Sequence, residues 1–325
     1  DTIVQQMKLF MEPKSIAIVG VSRQTGEASF NILENLLNEQ FPGEIYPVNP
    51  AADKILGVKT YPTIGHIPKQ VDLAVIATPR STVPSLVKQC AQKGIKAIIV
   101  IAQGFADADD EGKGLQAQIV SIARKRGVRI IGPNTFGVAN AFLNLCTGMP
   151  RFKLERTPIG IISQTGLVFC GTSRFKFGKI IDLGDACDVD FADALEYFEE
   201  DPDIKVVVLH IEGIQKGTRF AQIMARIAKK KPLLALKAGR SELGAKAVQS
   251  HTGSLVGRDE VYEAIFKQCG VIRVSDTEEM EDVSLALLQL PPMRGRQVAI
   301  MAWAGSTGVF TVDACQRYGL ELAEL

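Results

Sequence analysis

The sequence contains few of the residues that would indicate metal, disulfide or nucleic-acid chemistry. Its six cysteines stand at positions 90, 146, 170, 187, 269 and 315 without a CxxC pair, and it has only three histidines. Zinc sites need closely spaced Cys and His ligands, so we predict no metal site. Unpaired thiols are typical of a reducing compartment, which predicts a cytoplasmic protein. A net charge of +1 gives no attraction for nucleic acid or an anionic membrane, and neither is an expected partner.

Long apolar runs are also absent. The runs "AIIVIA" (97–102) and "VVVL" (206–209) have the length of strands and fall short of the roughly 20 residues of a membrane span. No charged-then-apolar signal peptide opens the chain. The sequence begins without Met and stops soon after a new strand–helix pattern starts, so we expect both ends to be cut. Its 325 residues are too many for one ordinary core and predict two or three domains.

Apolar strands alternate with amphipathic helices along most of the chain. Strand patterns occur at 15–20, 44–50, 71–79, 95–105 and 128–134, with helix patterns at 27–40 and 82–94. This alternation predicts an α/β fold, a doubly wound parallel sheet covered on both faces. The pattern restarts at 159, after the Pro- and charge-rich segment 149–158, and again at 296. We therefore predict domains at 1–150 and 151–292 and the start of a truncated third at 293–325.

The turn after the first strand resembles a phosphate-binding turn. It reads "GVSRQTGEAS" and places Gly20, Ser22 and Gly26 before a helix, although it is not GxGxxG. NAD-binding domains carry an acidic residue near the end of the second strand, where this chain has Asn49. We therefore favour a phosphorylated adenine nucleotide over NAD, with a dinucleotide oxidoreductase as the weaker alternative. The candidate contacts lie at the carboxyl ends of the strands: Gly20, Ser22, Arg23, Asn49, Pro50, Thr78, Pro79, Gln103 and Asn134.

One histidine stands among small and hydroxyl-bearing residues. His251 lies in "AVQSHTGSLVG", and a helical pattern begins only at residue 258, so we predict a loop here. By contrast, His210 lies inside an apolar strand pattern, where a satisfied sheet residue is the better interpretation, and His66 lies in a polar loop. From composition alone, a catalytic histidine and a loop whose Ser or Thr caps a helix are equally good interpretations of "SHTGS".

Two further features favour the catalytic interpretation. The segment "SQTG" ends a strand and opens a helix pattern, which predicts amides and hydroxyls for a tetrahedral anion at Ser163, Gln164, Thr165 and Gly166. Glu212 lies at the carboxyl end of a central strand, in "HIEG". A carboxylate bonded to one imidazole nitrogen fixes the tautomer and leaves the other nitrogen free as a nucleophile. This set suits phosphorylation of His251, with Glu212 orienting the ring.

With these motifs in order along the chain, the sequence resembles the α subunit, or CoA-binding half, of ADP-forming acyl-CoA (acetate–CoA) ligases in the succinyl-CoA synthetase superfamily. The resemblance extends from "SIAIVGVS" through "GEIYPVNP", "GPNTFGVAN" and "SQTGLV" to "SHTGSLVGRDE" and "AWAGSTGV". It implies a Rossmann-like CoA-binding domain followed by flavodoxin-like, succinyl-CoA synthetase-like domains. It also implies that His251 is the phosphohistidine, that Glu212 supports it, and that the nucleotide contacts of the first domain bind coenzyme A.

The resemblance further implies the reaction acyl-CoA + ADP + phosphate ⇌ carboxylic acid + CoA + ATP, through an acyl phosphate. ADP or ATP with Mg²⁺ would bind to an ATP-grasp β subunit or domain, which this sequence does not contain. The expected partners are that ATP-grasp part and a small carboxylate or acyl-CoA, in a hetero-oligomer or homodimer. A non-catalytic CoA-binding or acyl-CoA-binding regulatory module is the alternative, and the presence of His251 favours the enzyme.

The chain departs from the usual family pattern at several positions. The first loop lacks the usual Lys, and Thr135 and Phe136 replace the usual Cys and Leu of "GPNCLG". Asp185 stands where Asn is common. Because residues 135 and 136 border the implied acyl site, these changes predict an acid that differs from acetate in size or polarity.

Overall fold

Two sheets of mainly parallel strands carry most of the chain. The computed structural model describes residues 2–26, 31–148, 153–170, 174–252, 256–291 and 293–324. The chain divides into a larger unit, residues 1–284, which holds both sheets, and a smaller unit, residues 285–325.

The first sheet is built from the N-terminal part of the chain. Its strands are β1 (Ser15–Val19), β2 (Glu44–Val48), β5 (Leu73–Ile76), β6 (Ala97–Val100) and β7 (Arg129–Ile131). A hairpin of β3 (Lys54–Ile55) and β4 (Val58–Lys59) forms a separate two-stranded sheet. The helices are α1 (Ile3–Met11), α2 (Ile32–Asn38), α3 (Val83–Lys93) and α4 (Asp110–Arg126). The strand order is β2-β1-β5-β6-β7, all parallel. The helix predicted at 27–40 is described from Ile32 onwards, and residues 27–30 lie outside the described residues.

Local sequence signals account for these elements. β5 and β6 are apolar throughout and β1 is apolar after Ser15, and all three are buried along their whole length, as strands covered on both faces must be. α4 starts where the Asp109 carboxylate accepts a hydrogen bond from the Gly112 amide at 2.7 Å. It ends at Gly127, whose φ of +61° is the left-handed conformation that favours glycine at a helix end.

The second sheet contains five parallel strands and an antiparallel edge. Its strands are β8 (Val138–Asn140), β9 (Leu145–Cys146), β10 (Ile159–Ser163), β11 (Lys179–Asp182), β12 (Val206–Ile211), β13 (Leu233–Lys237) and β14 (Ile272–Val274). The helices are α5 (Phe191–Glu200), α6 (Gly217–Ile227), α7 (Glu242–Thr252), α8 (Asp259–Cys269) and α9 (Thr277–Gln289). The order is β14-β13-β12-β10-β11-β8-β9, in which β8 and β9 pair antiparallel.

Contacts between the two sheets of the larger unit involve the first helix of the chain. α1 packs against α5, and the buried Asn140 side chain donates a hydrogen bond to the Met11 carbonyl at 2.9 Å. Arg129, on the last strand of the first sheet, pairs with Asp188 at 2.8 Å and Asp193 at 2.6 Å. Apolar residues of both sheets belong to one continuous core, so the sheets hold a fixed relation to each other.

The smaller unit contains β15 (Gln297–Val298), α10 (Gly305–Arg317) and β16 (Glu321–Leu322). Its two strands pair in parallel, as a β-α-β crossover requires. The predicted boundaries at 150 and 292 and the predicted truncated third domain stay predictions.

Each large sheet has one point at which the strand order reverses. In the first sheet this point lies between β1 and β5, and in the second it lies between β10 and β12. Ligands of open α/β sheets bind outside the carboxyl ends of the strands at such points. The fold therefore gives two candidate sites, one after Val19 and Ile76 and the other after Ser163 and Ile211.

Candidate functional site

The carboxyl edge of the second sheet places the predicted catalytic carboxylate next to the predicted phosphate turn. β10 and β12 are adjacent and in register at Ser163 and His210. Glu212 follows two residues later, with only 6% of its surface exposed. Sequence separation hid this proximity, because the two segments lie almost fifty residues apart in the chain.

Gln164 joins the two strand ends. Its side-chain oxygen accepts hydrogen bonds from the backbone amides of Glu212 at 2.9 Å and Gly213 at 3.0 Å. The Ser163 hydroxyl is also directed into the protein, because it accepts a hydrogen bond from the Thr165 amide and donates one to the Thr165 carbonyl, both at 3.0 Å. These two side chains fix the turn, while Thr165 and Gly166 are half-buried at its surface. The predicted contacts of the four residues with phosphate stay predictions.

The described residues after this turn form a 3₁₀ helix, Gly166–Cys170, and residues 171–173 lie outside the described range. Because a 3₁₀ helix has poorer hydrogen-bond geometry than an α-helix, individual amides and hydroxyls of the turn matter more for an anion than the predicted helix terminus.

Two further side chains, which no sequence motif marked, hold the segment that follows β12. The Lys237 ammonium donates to the Glu212 carbonyl at 2.9 Å and to the Ala238 carbonyl. The Tyr262 hydroxyl accepts from the Ile214 amide at 3.1 Å, and the Lys237 nitrogen lies 4.8 Å from the centre of the Tyr262 ring. Burial lowers the pKa of Lys237 to about 8. Together with Gln164, these residues fix the backbone from which the Glu212 side chain projects.

His251 lies in a helix, which corrects the prediction of a loop at this position. Residue 251 is the last but one of α7, Glu242–Thr252, and residues 253–255 lie outside the described residues. The reason is that Ala245, Lys246 and Ala247 are strong helix formers and extend the helix into the Ser and Thr that follow. The side chain of His251 is also outside the described part of the structure.

The segment that carries His251 starts and ends near the carboxyl edge of the second sheet. A Cβ at Gly239 would lie 3.2 Å from Val248 Cγ2 and 3.0 Å from Val256 Cγ1. Residues on either side of His251 therefore pack at one point, two residues after the end of β13. Lys237, the last residue of that strand, bonds to the Glu212 carbonyl. Both ends of this segment are thus anchored on the edge that holds Glu212.

The other two histidines have local roles. His210 is mostly buried on β12, with its Nδ1 3.4 Å from the Ser163 hydroxyl, and burial lowers its pKa to about 4. It is therefore neutral at pH 7. His66 bonds through Nδ1 to the Thr63 hydroxyl at 2.8 Å on the protein surface.

The carboxyl edge of the first sheet contains a cavity of about 370 Å³. Five of the nine predicted nucleotide contacts line it, namely Gly20, Asn49, Pro50, Thr78 and Pro79. The Asn49 side chain fixes the turn after β2 by donating to the Val21 carbonyl at 3.2 Å and accepting from the Ala51 amide at 2.8 Å. The remaining walls come from residues that the sequence did not single out, among them Thr63, Ile64, Thr82, Leu86 and Gln89.

The other four predicted contacts lie outside the walls of this cavity. Arg23 and Gln103 are exposed, and Ser22 accepts a hydrogen bond from the Gln24 amide at 3.0 Å. Asn134 lies nearer the second sheet, where its amide donates to Asp185 at 3.3 Å. Arg80, next to Pro79, is already paired with Asp109 at 2.9 Å and with Glu111 at 3.0 Å.

Two buried aspartates lie between the two edges. The Asp182 carboxylate accepts from the amides of Phe136 at 2.7 Å and Gly184 at 3.3 Å. Burial raises the pKa of Asp182 to about 6 and that of Asp185 to about 7, and the negative charge of Glu212 adds to both shifts. The sequence had marked Asp185 only as a departure from the family pattern.

We expect these aspartates to make stability depend on pH. A carboxyl whose folded pKa lies above its unfolded value of about 4 stabilises the fold below that value, and this contribution is lost as pH rises through the folded pKa. Asp185→Asn should therefore raise the melting temperature by about 3 °C or more at pH 8, with a smaller gain at pH 5. The groups that face Asp185 are Asp107, Asp182 and Glu212, and all three oppose its ionisation.

Differential scanning calorimetry of both proteins from pH 5 to pH 8 measures this difference. Asp110→Asn is the control, because it makes the same chemical change at a side chain that is 96% exposed. A gain from Asp185→Asn that does not grow with pH would refute the assignment of this charge to Asp185.

Within the described ranges, no group of three or more His, Cys, Asp or Glu side chains is arranged to hold a metal ion. None of the helices described there is both long and apolar enough to cross a bilayer. The thiols of Cys90, Cys146, Cys187, Cys269 and Cys315 are free.

Comparison with known proteins matches both sheets to known domain families. Residues 14–141 match a CoA binding domain, and residues 156–287 match the succinyl-CoA ligase like flavodoxin domain. A solved acetyl-coenzyme A synthetase 1 of Ca. Korarchaeum cryptofilum, described as dinucleotide forming and in complex with phosphate and ADP, aligns with a TM-score of 0.90 and 33% identity. The alignment covers 99% of this chain and 70% of that one.

The fold and its two edges thus define a Rossmann-like CoA-binding domain joined to a flavodoxin-like, succinyl-CoA ligase-like domain, which confirms the predicted fold class. The chain is 39% identical to subunit alpha of the ADP-forming acetate–CoA ligase II of Pyrococcus furiosus, an alignment that covers 97% of the chain and 70% of that subunit. It is 38% identical to the ADP-forming acetate–CoA ligase of Methanocaldococcus jannaschii, of which it spans 45%. The chain belongs to the family of ADP-forming acetate–CoA ligase α subunits, as the sequence motifs predicted.

Proposed function

We propose that the chain is the CoA-binding, phosphoryl-transferring part of an ADP-forming acyl-CoA ligase. The overall reaction is acyl-CoA + ADP + phosphate ⇌ carboxylic acid + CoA + ATP. The observation that carries this proposal is the meeting of Glu212 and the 163–166 turn at the carboxyl edge on which the His251 segment is anchored. Family membership at 39% identity supports the same chemistry.

The first step takes place between bound acyl-CoA and phosphate. A phosphate oxygen attacks the thioester carbonyl, the carbon–sulfur bond breaks, and CoA leaves as a thiol that takes up a proton. The product is an acyl phosphate. We assign its phosphoryl group to the turn at Thr165 and Gly166, because those residues are half-buried at the surface of the turn, whereas the side chains of Ser163 and Gln164 bond within the protein.

The second step moves the phosphoryl group to His251. One ring nitrogen attacks phosphorus, the bond to the acyl oxygen breaks, and the carboxylic acid leaves. Glu212 orients the ring by accepting a hydrogen bond from the other nitrogen, which fixes the tautomer and stabilises the phosphorylated ring. Its backbone is fixed by Gln164, Lys237 and the neighbouring Tyr262 contact, so the carboxylate is held ready for this role.

The third step needs an ATP-grasp domain that binds ADP with Mg²⁺. We place that domain on a partner subunit or in another part of the same protein, because the chain spans 45% of one relative and 70% of another. Val248 and Val256, on either side of His251, both lie beside Gly239 at the edge that holds Glu212. The free thiols fit a cytoplasmic location.

We assign CoA to the cavity at the first sheet. Its walls at Gly20, Asn49 and Thr78 lie where the strand order reverses, and the glycine lets a ligand approach the backbone. Residues 63, 64, 82, 86 and 89 supply an apolar and hydroxyl-bearing wall suited to an adenine ring.

Gly20→Ala should weaken CoA binding. The added Cβ would lie 2.5 Å from Thr78 Cγ2 and 2.6 Å from the Ala77 carbonyl, in a backbone with a φ of +85°. We expect the KM for CoA to rise about tenfold or more, with the KM for ADP nearly unchanged. Gly57→Ala is the matched control, because its φ of +79° imposes a similar backbone cost and its Cβ would meet nothing within 4 Å. Equal KM values for CoA in the two variants would contradict the assignment of this cavity.

The experiment that tests the proposed function is ATP formation from acyl-CoA, ADP and phosphate by the full-length protein together with its ATP-grasp part. Free CoA should appear in equal amount to ATP, and omission of phosphate should stop both. Binding of acyl-CoA without release of CoA would indicate a regulatory module and would overturn the proposal.

A further inference from the structure

A second cavity, of about 230 Å³, lies beside the edge that holds Glu212. Gln164 and Gly213 form one wall, and these residues are bonded to each other and to Glu212. Asp185, Cys187 and Lys216 form other parts of the lining. The volume is below the roughly 300 Å³ at which clefts for drug-sized molecules begin, so the cavity suits a small group.

Asp185 lines this cavity and carries a buried carboxylate oxygen. The residue is only 8% exposed, and its Oδ1 accepts from the Asn134 amide at 3.3 Å. Its Oδ2 is buried and has no hydrogen-bond partner among the described residues. A buried polar atom without a partner is costly and rare, so a missing partner must be sought.

The backbone around Asp185 leaves this oxygen little freedom to find another partner. The Asp185 amide donates to the Pro133 carbonyl at 3.0 Å, and the Cys187 amide donates to the Gly132 carbonyl at 3.1 Å. Ala186, between them, has a φ of +50°, which only a tightly held turn imposes on a residue with a side chain. The backbone that carries the carboxylate is therefore held in place at the wall of the cavity.

The charges around Asp185 select the kind of group that can meet it. Asp107, Asp182 and Glu212 surround it with negative potential, which disfavours a second carboxylate in the cavity, even though Arg124 and Lys216 also line it. A hydroxyl fits best, because it can donate to an ionised carboxylate and accept from a protonated one. An apolar group of the same size would leave Oδ2 without a partner.

We propose that this cavity binds the acyl portion of the substrate and that Asp185 makes the enzyme specific for a carboxylic acid with a hydroxyl group on its chain. This inference rests on the proposed ligase function. It names the substrate class as hydroxy acids and assigns Asp185 as the residue that distinguishes them from unsubstituted acids. The alternative hydrogen-bond donor to the Asp185 carboxylate is the amide N–H of the pantetheine arm of CoA, which has the same donor chemistry.

The test compares acids that differ only in a hydroxyl and a methyl group. CoA thioester formation by the full-length protein with its ATP-grasp part is measured for 3-hydroxybutyrate against 3-methylbutyrate and for 4-hydroxybutyrate against pentanoate. We expect kcat/KM to favour the hydroxy acid about tenfold or more in at least one pair. Asp185→Leu should abolish or reverse that preference, whereas Asp185→Asn, which keeps an acceptor and a donor at this position, should retain part of it.

The outcomes distinguish an acid hydroxyl from a pantetheine amide as the partner of Asp185, and they distinguish failure of this inference from failure of the ligase function. A wild-type enzyme with no preference within either pair, or an unchanged preference in Asp185→Leu, overturns the inference while leaving the ligase function intact. A raised KM for CoA in Asp185→Leu with unchanged acid preference assigns the oxygen to pantetheine and also overturns it. Thioester formation with none of the four acids also overturns the inference, whereas the ligase function is tested separately by ATP formation from acyl-CoA, ADP and phosphate.

Discussion

His251→Ala is expected to lower the rate of ATP formation from acyl-CoA, ADP and phosphate by at least about 10³-fold. The reason is that a covalent carrier has no substitute once its nitrogen is removed, and the acyl phosphate and ADP are bound by different domains. Release of CoA in the first step should survive, because the phosphate turn and Glu212 remain. The measurement is steady-state ATP formation together with a single-turnover assay of CoA release.

His66→Ala is the control for this substitution, since His66 is an exposed histidine that bonds only to Thr63 among the described residues. It should retain nearly full activity. The circular dichroism spectrum and melting temperature of His251→Ala should match those of the wild type, because the change replaces a single side chain near the end of α7. Retention of more than a tenth of the wild-type rate in a folded His251→Ala protein is incompatible with a phosphoryl carrier at this position.

Lys179→Met is expected to lower the unfolding free energy more than any of the substitutions described above. The Lys179 ammonium is 2% exposed and pairs with Asp201, also 2% exposed, at 2.7 Å, and with Asp203 at 3.0 Å. It also lies 5.4 Å from the centre of the Phe142 ring and 5.6 Å from that of Tyr197. Removing one partner leaves a buried, uncompensated charge, which costs about 3–5 kcal/mol of unfolding free energy.

The expected result is a fall in melting temperature of about 10 °C, measured by calorimetry. Lys113→Met is the matched control, because Lys113 pairs with Asp110 at 2.8 Å and the two side chains are 63% and 96% exposed. Surface pairs contribute about 0–1 kcal/mol, so the control should lose no more than a few degrees. The double variant Lys179→Met, Asp201→Leu should recover part of the loss, since it removes the unpaired carboxylate. Equal losses of melting temperature in Lys179→Met and Lys113→Met would show that the buried pair stabilises the fold no more than a surface pair does.

Much of the fold could be predicted because its central strands are buried on both faces. Continuous apolar runs such as 206–209, bounded by polar turns, leave few alternatives to a parallel strand. The positions of several site residues followed from this fold. Glu212 comes directly after the strand that contains this run, so its place at the carboxyl edge could be predicted. Gly20 and Thr78 could be placed at the other edge in the same way.

The antiparallel edge could not be predicted from local patterns. β8 and β9 are two or three residues long, and they exist because Val138 and Ala139 meet β11 across the sheet. Periodicity cannot be detected over so few residues. The same limit explains the helix at His251, where Ala and Lys outweigh the Ser and Thr that indicated a loop.

The supporting contacts of the candidate site were also beyond sequence patterns. The side-chain oxygen of Gln164 accepts hydrogen bonds from the backbone amides of Glu212 and Gly213, which no local pattern indicates. Lys237 and Tyr262 come from different elements and meet only in the folded chain. Asp185 could be recognised in the sequence as a departure from the family pattern, but only the folded structure shows that its Oδ2 is buried without a partner among the described residues. Residue types indicate which chemistry is possible, whereas the directions of the side chains depend on packing between distant segments.

The most direct test of the mechanism is to locate the phosphoryl group on the protein. The full-length protein is incubated with acyl-CoA and labelled phosphate in the absence of ADP, digested at alkaline pH and mapped by mass spectrometry. The expected result is one phosphate on the imidazole of His251, labile in acid and stable in alkali, and discharged when ADP and the ATP-grasp part are supplied. A phosphate on any other residue, or an unlabelled protein that still turns over, would contradict a phosphohistidine at position 251.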